Sequence, residues 1–214
     1  MREAELAVEQ ELLLFTSLLT LFSPPAAVAP FVAITGRFTP DIQRRMAARI
    51  AAYYGVTLLG AALIGRPVLS VLGISLPALQ LTGGLILLLA ALPMALKPEH
   101  YVKEGVRDAW SREGTAWITL AAVPFTFPIT VGGATLATMV TAGSAARGPW
   151  ALARLLSVCI AMTVVVWLTF RFAPLLGRRL GEAGLSILTA VGGVTLVCIA
   201  FQILVPAVHA LLAG

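Results

Sequence analysis

LLLFTSLLTLFSPPAAVAPFVAIT, residues 12–35, is apolar enough to enter a bilayer yet carries Pro24, Pro25 and Pro30 near its middle. An interior proline removes a helical hydrogen bond and clashes with the preceding turn, at about 3 kcal/mol or more. In hydrocarbon the freed carbonyls add several kcal/mol each unless something satisfies them. One proline suffices for a kink; two adjacent prolines behind a serine spell a helix that stops and restarts. Ser23 then serves as N-cap, with Pro24 and Pro25 at the first two helical positions. The amides of Ala26, Ala27 and Val28 are expected to stand unbonded in mid-membrane.

A second apolar segment, AWITLAAVPFTFPITVGGATLATMVTAG (116–143), is interrupted by Pro124, Pro128 and Gly132-Gly133. Gly133 falls 109 residues after Pro24, and the same offset carries Pro40 onto Pro149, Arg45 onto Arg154, Leu79 onto Leu188, Gly83-Gly84 onto Gly192-Gly193 and Ala91 onto Ala200. The amides of Ala134, Thr135 and Leu136 form the second expected donor set. The uncharged stretches 12–36, 50–65 and 67–96 are matched by 114–146, 155–170 and 183–214, so long, short, long occurs twice. The middle stretches fall short of the roughly 20 apolar residues of a span, but Arg49 and Arg154 can enter the helix ends and snorkel. Three spans per copy force the second copy upside down. The expected fold is an all-α membrane protein of six transmembrane helices, arranged as two inverted three-helix repeats, with helices one and four discontinuous. Residues 1–96 form the first repeat, 97–113 a hydrophilic linker, and 114–214 the second repeat.

Composition agrees with this class. Hydrophobic residues make up 59% of the chain and charged residues 12%, against about 25% charged in soluble domains. The basic balance, +5, resides in short loops, which argues for a membrane protein with inside-facing cations and against a nucleic-acid partner. The first, third and fifth connections hold eleven Lys and Arg residues and the opposite side four. By the positive-inside rule the linker is cytoplasmic and both termini lie outside. The acidic N-terminus (Glu3, Glu5, Glu9, Glu11) has the wrong charge for a signal peptide. Cys159 and Cys198 lie in apolar stretches without metal-ligand spacing.

Inverted repeats with broken helices in corresponding places point to alternating-access transport, with a site near the midplane. Half-helix N-termini attract a carboxylate, while hydroxyls and broken carbonyls suit an ammonium or small cation. The candidate substrate-binding residues are Thr20, Ser23, Pro24, Pro25, Ala26 and Ala27 at the first break. At the second they are Thr126, Thr130, Gly132, Gly133, Ala134 and Thr135. All ten acidic residues lie outside the uncharged stretches. This argues against a carboxylate proton relay and for a solute carrying its own compensating charges, a small zwitterion. Gln80 and Gln202 are read as interhelical hydrogen bonders, His209 as interfacial, and the paired glycines as packing positions. The chain has no paired intramembrane carboxylates, no His-Glu-x-x-His and no Ser with a neighbouring His, so no enzyme, catalytic residue, metal site or organic cofactor is expected.

Residues 23–35 (SPPAAVAPFVAIT), 72–92 (LGISLPALQLTGGLILLLAAL) and 123–140 (VPFTFPITVGGATLATMV) together resemble the MarC family of integral membrane proteins over nearly the whole chain. Ser23 stands where that family usually has Asn, Ala26 where it has Gly, and Gly133-Ala134 where it has Pro-Gly. The resemblance implies a prokaryotic multi-pass protein of the cytoplasmic (inner) membrane, carrying glycine-, alanine- or serine-like neutral amino acids. Na+ or H+ is the candidate coupling ion. Its partners would be a small zwitterionic substrate and the lipid bilayer, with oligomeric state open. The alternatives are an exporter of other small solutes or drugs and a non-transporting membrane scaffold.

Overall fold

The computed structural model of the chain describes residues 2–36, 38–98, 126 and 130–212. Its helices are α1 (Arg2–Phe22), α2 (Pro24–Thr35), α3 (Pro40–Leu72), α4 (Leu76–Leu96), α5 (Gly133–Ala145) and α6 (Pro149–Leu212), and no strand occurs among the described residues. α6 breaks at Gly181, where φ is 63° and ψ −174°. Its two arms, α6a (Pro149–Gly177) and α6b (Ala183–Leu212), are each long and apolar enough to cross a membrane. Glu9–Val28, Pro40–Leu72 and Leu76–Leu96 meet the same criterion. The chain is an all-helical, multi-pass membrane protein with five such stretches among its described residues. The expected linker lies almost wholly outside the described residues, as does most of the expected fourth span up to Thr130.

Prolines begin the helices where their missing N–H costs least: Pro40 opens α3 and Pro149 opens α6. Two expected boundaries move. The chain turns at residues 73–75 and not at Arg66, so Arg66 and Pro67 lie inside a 33-residue α3. The reason is local. Gly73 adopts φ 67°, its amide donates to the Ser70 carbonyl, and the amide of Ile74 reaches back to Leu69 (2.9 Å), an end that only a left-handed residue closes. Ser75 then caps α4 by accepting from the Ala78 amide at 3.3 Å. In the later part of the chain Arg171 likewise lies inside a helix, and the break falls at Gly181. The middle stretches that read as short in the sequence therefore belong to helices of 33 and 29 residues.

α4 and α6b pack through their paired glycines. A Cβ on Gly84 would meet Leu204 Cγ at 2.9 Å and Ile203 Cγ2 at 3.3 Å, and one on Gly193 would meet the Met94 carbonyl carbon at 2.7 Å and the Ala95 amide. As α4 runs from Gly84 to Ala95, its partners on α6b run back from Leu204 to Gly193, so the two helices cross antiparallel. Only small residues permit such close backbones. The neighbouring glycines receive the starts of the two short helices: Gly83 lies against Gly133 of α5, and Gly192 against Ala26 of α2, whose Cα is 2.8 Å from the missing Cβ.

The largest buried side chains gather around the first break. Phe22 lies 6.2 Å from Tyr54 on α3 and 6.1 Å, edge-on, from Phe170 on α6a. Phe31, nine residues beyond Phe22 on α2, packs at 4.9 Å and a 45° tilt against that same Phe170. Large apolar side chains such as Val56, Val71, Leu89, Ile160 and Ile187 stand exposed along the outer helix faces, as a lipid-facing surface requires.

Candidate functional site

At the first break the helix stops and restarts where the prolines dictate. α1 ends at Phe22, and α2 begins with Pro24 and Pro25 in its first two positions. Neither proline can donate to its i−4 acceptor, so the carbonyls of Thr20 and Leu21 lose their helical donors. Ser23, between the helices, takes φ 44° and ψ 77°, the only positive φ outside glycine among the described residues. Its hydroxyl makes no capping bond. Instead its carbonyl accepts from the amides of Ala26 (3.0 Å) and Ala27 (3.2 Å). The expectation of a side-chain N-cap with open amides at Ala26 and Ala27 is therefore corrected: the left-handed turn lets the Ser23 carbonyl take up those donors. Ala26 and Ala27 are also fully packed, and Pro25 is exposed.

The second break is built differently. The amide of Val131 and the hydroxyl of Thr130 both donate to the Thr126 carbonyl, at 2.8 and 2.9 Å, a wide turn with both threonines buried. The chain then passes through extended Gly132 (φ −95°, ψ 171°) into α5 at Gly133. Leu136 makes the first helical bond, its amide donating to Gly132 at 3.1 Å, so this amide is not open as expected. A Cβ on Gly133 would meet the Leu79 carbonyl oxygen at 2.5 Å. Thr135 is buried at 3% exposure and Ala134 at 7%. Pro124 and Pro128 lie outside the described residues.

Between α1, α4, α5 and α6b lies a cavity of about 430 Å³. α1 contributes Thr16, Ser17, Thr20 and Leu21, α4 contributes Gln80, α5 Ala134 and Thr138, and α6b Gln202 among apolar neighbours. Of the residues expected at the site, the structure brings Thr20 and Ala134 to this wall; Ser23, Pro24, Pro25, Ala26, Ala27, Thr126, Thr130, Gly132, Gly133 and Thr135 do not line it. The polar groups that sequence reasoning missed are Thr16, Ser17 and Thr138. Hydroxyls at 16, 17 and 20 fall on one helix face inside an apolar span, a pattern that was visible. Gln80 and Gln202, read as interhelical hydrogen bonders, make no side-chain hydrogen bond among the described residues and face the cavity instead.

The chemistry of the wall is neutral and directional. Thr16, Ser17 and Thr20 donate to the carbonyls of Leu12, Leu13 and Thr16 at 2.7, 2.7 and 2.9 Å. Their protons are spent on the helix, so they present lone pairs. The two glutamine amides supply both donors and acceptors. Among the described residues no Asp, Glu, Lys or Arg lines the cavity. Such a wall suits a small polar solute without net charge. Outside this wall, Glu11 of α1 pairs with Arg154 of α6a at 3.5 Å.

Comparison with known proteins agrees with this architecture. Inner membrane protein MarC of Citrobacter koseri is 26% identical over 196 residues, covering 88% of this chain and 89% of its own length. The proteins of that name from Salmonella arizonae and Escherichia coli O1:K1 are 26% and 24% identical, with the same shares covered. No solved structure matches the chain. A model of the MarC family of integral membrane proteins matches residues 9–212, nearly the whole chain, and the chain belongs to that family.

Proposed function

We propose that this chain is a secondary transporter of small neutral amino acids, glycine-, alanine- or serine-like, in a prokaryotic inner membrane, working by alternating access. The observation that carries the reading is the 430 Å³ cavity lined by α1, α4, α5 and α6b, with no charged side chain among its described lining residues. A zwitterion needs no protein counter-charge there. Its ammonium meets the hydroxyl lone pairs and the carbonyls that Pro24 and Pro25 leave without donors, and its carboxylate meets the amide N–H groups of Gln80 and Gln202.

The inverted repeat is part of this proposal, and the glycine crossing supports it. Shifting the contact of Gly84 with Ile203 and Leu204 by 109 residues yields the contact of Gly193 with Met94 and Ala95. Contacts that exchange in this way follow a two-fold axis, and because the helices run antiparallel the axis lies across them, in the membrane plane. Residues 114–146 supply the sixth span, both termini face outward, and the repeats rock about the crossing. Thr20, Ser23 and Pro24 at one break, with Gly132 to Thr135 at the other, shape the moving ends of the site. Na+ or H+ is the coupling ion, and a carrier rather than an enzyme is the reading the wall chemistry favours.

The test is uptake of labelled alanine and glycine into proteoliposomes under sodium, proton and exchange gradients. We expect uptake above that of empty vesicles under at least one gradient. Equal uptake under all three overturns the proposal, and a solute other than an amino acid taken up in their place favours the exporter alternative.

A further inference from the structure

The last turns of α3, the start of α4 and the end of α5 line a second, open cavity of about 480 Å³ that shares no lining residue with the neutral one. Leu69, Ile74, Leu76 and Val140 make its walls apolar, and Arg66 lines it. Arg66 belongs to no ion pair among the described residues. Thr141 and Ser144, which donate to the carbonyls of Ala137 and Val140 at 2.8 and 2.6 Å, offer it neutral lone pairs but no counter-charge.

Depth decides what can. Arg49 and Arg66 stand 17 residues apart on one continuous helix, which is roughly 26 Å along its axis, close to the thickness of the hydrocarbon core, about 30 Å. With its long side chain extended toward the interface, Arg66 can reach the level of lipid phosphates in one leaflet, with apolar walls beside it. A choline headgroup brings its own cation to that place; a glycerol headgroup leaves its phosphate charge to Arg66. We infer that this cavity binds an anionic phospholipid, its phosphate held by Arg66 and an acyl chain laid against α3, α4 and α5. The inference does not depend on what the neutral cavity carries.

The full chain, purified in detergent, is titrated with phosphatidylglycerol, phosphatidylcholine or inorganic phosphate, and retained lipid and thermal midpoint are read by native mass spectrometry and a melting assay. We expect about five-fold preferential retention of phosphatidylglycerol over phosphatidylcholine, with the larger rise in midpoint. Arg66→Gln removes the preference and Arg66→Lys keeps most of it. Ile74→Trp, which narrows the cavity and leaves the charge, lowers retention of phosphatidylglycerol toward that of phosphatidylcholine. Equal retention of the two lipids by the unaltered chain, an undiminished preference in Arg66→Gln, or a midpoint rise reproduced by inorganic phosphate alone overturns the inference.

Discussion

Gly193 of α6b lies with its Cα so close to Met94 of α4 that a Cβ would fall 2.7 Å from the Met94 carbonyl carbon. At Gly84, the other end of the crossing, the obstacle is the branched end of the Leu204 side chain, at 2.9 Å. Backbone cannot yield and a leucine end can. Gly193→Ala is therefore expected to destabilise by about 2–3 kcal/mol and Gly84→Ala by about 1 kcal/mol or less. Thermal or denaturant unfolding of the two variants in detergent checks the order, and equal losses would contradict the asymmetry of the crossing.

Ser23 separates two accounts of the first break. Its φ of 44° costs a residue with a Cβ roughly 1 kcal/mol, and its hydroxyl caps nothing. Ser23→Ala should then change stability by less than about 0.5 kcal/mol, and Ser23→Gly should raise it by about 0.5–1 kcal/mol. A loss near 1 kcal/mol in Ser23→Ala would restore the side-chain N-cap.

The Tyr54 hydroxyl is fully buried without a hydrogen-bond partner among the described residues, and such a group costs about 1–3 kcal/mol. Tyr54→Phe should leave stability unchanged or raise it by about 1 kcal/mol. Tyr54→Ala, which also removes the ring beside Phe22, should cost about 3–5 kcal/mol. Comparing the melting midpoints of the two variants is sufficient, and a destabilised Phe variant would reveal a partner for the hydroxyl.

Gln80 and Gln202 test the transport proposal without touching the fold. Replacing either with Leu removes the hydrogen bonds offered to a carboxylate, worth about 1–1.5 kcal/mol, and should weaken alanine binding about tenfold. Melting midpoints should hold, because neither amide makes a hydrogen bond among the described residues. Calorimetric titration with alanine, beside a melt, reads both; unchanged affinity in the double variant would remove the glutamines from the site.

The interruptions were legible because proline chemistry is local: without N–H groups at 24 and 25 the first helix must restart, and it does at Pro24. Helix ends were misplaced at Arg66 and Arg171 because a long cationic side chain can leave the hydrocarbon while its backbone stays helical, so charge does not mark a turn. Gly73 and Gly181, with φ of 67° and 63°, were the better signals. The left-handed turn at Ser23 is invisible in sequence, since serine usually caps with its side chain. The cavity was half legible. Thr20 and Ala134 follow from the breaks, but Gln80 and Gln202 come to one cavity only through the packing of α4 on α6b, which no local pattern encodes.

Phe170 belongs to α6a, yet it abuts Phe22 before the break and Phe31 after it. One ring from a distant stretch of chain is thus wedged against both pieces of the split helix. α6a thus buttresses both pieces at once, and a displacement of either one would be felt at the same aromatic ring.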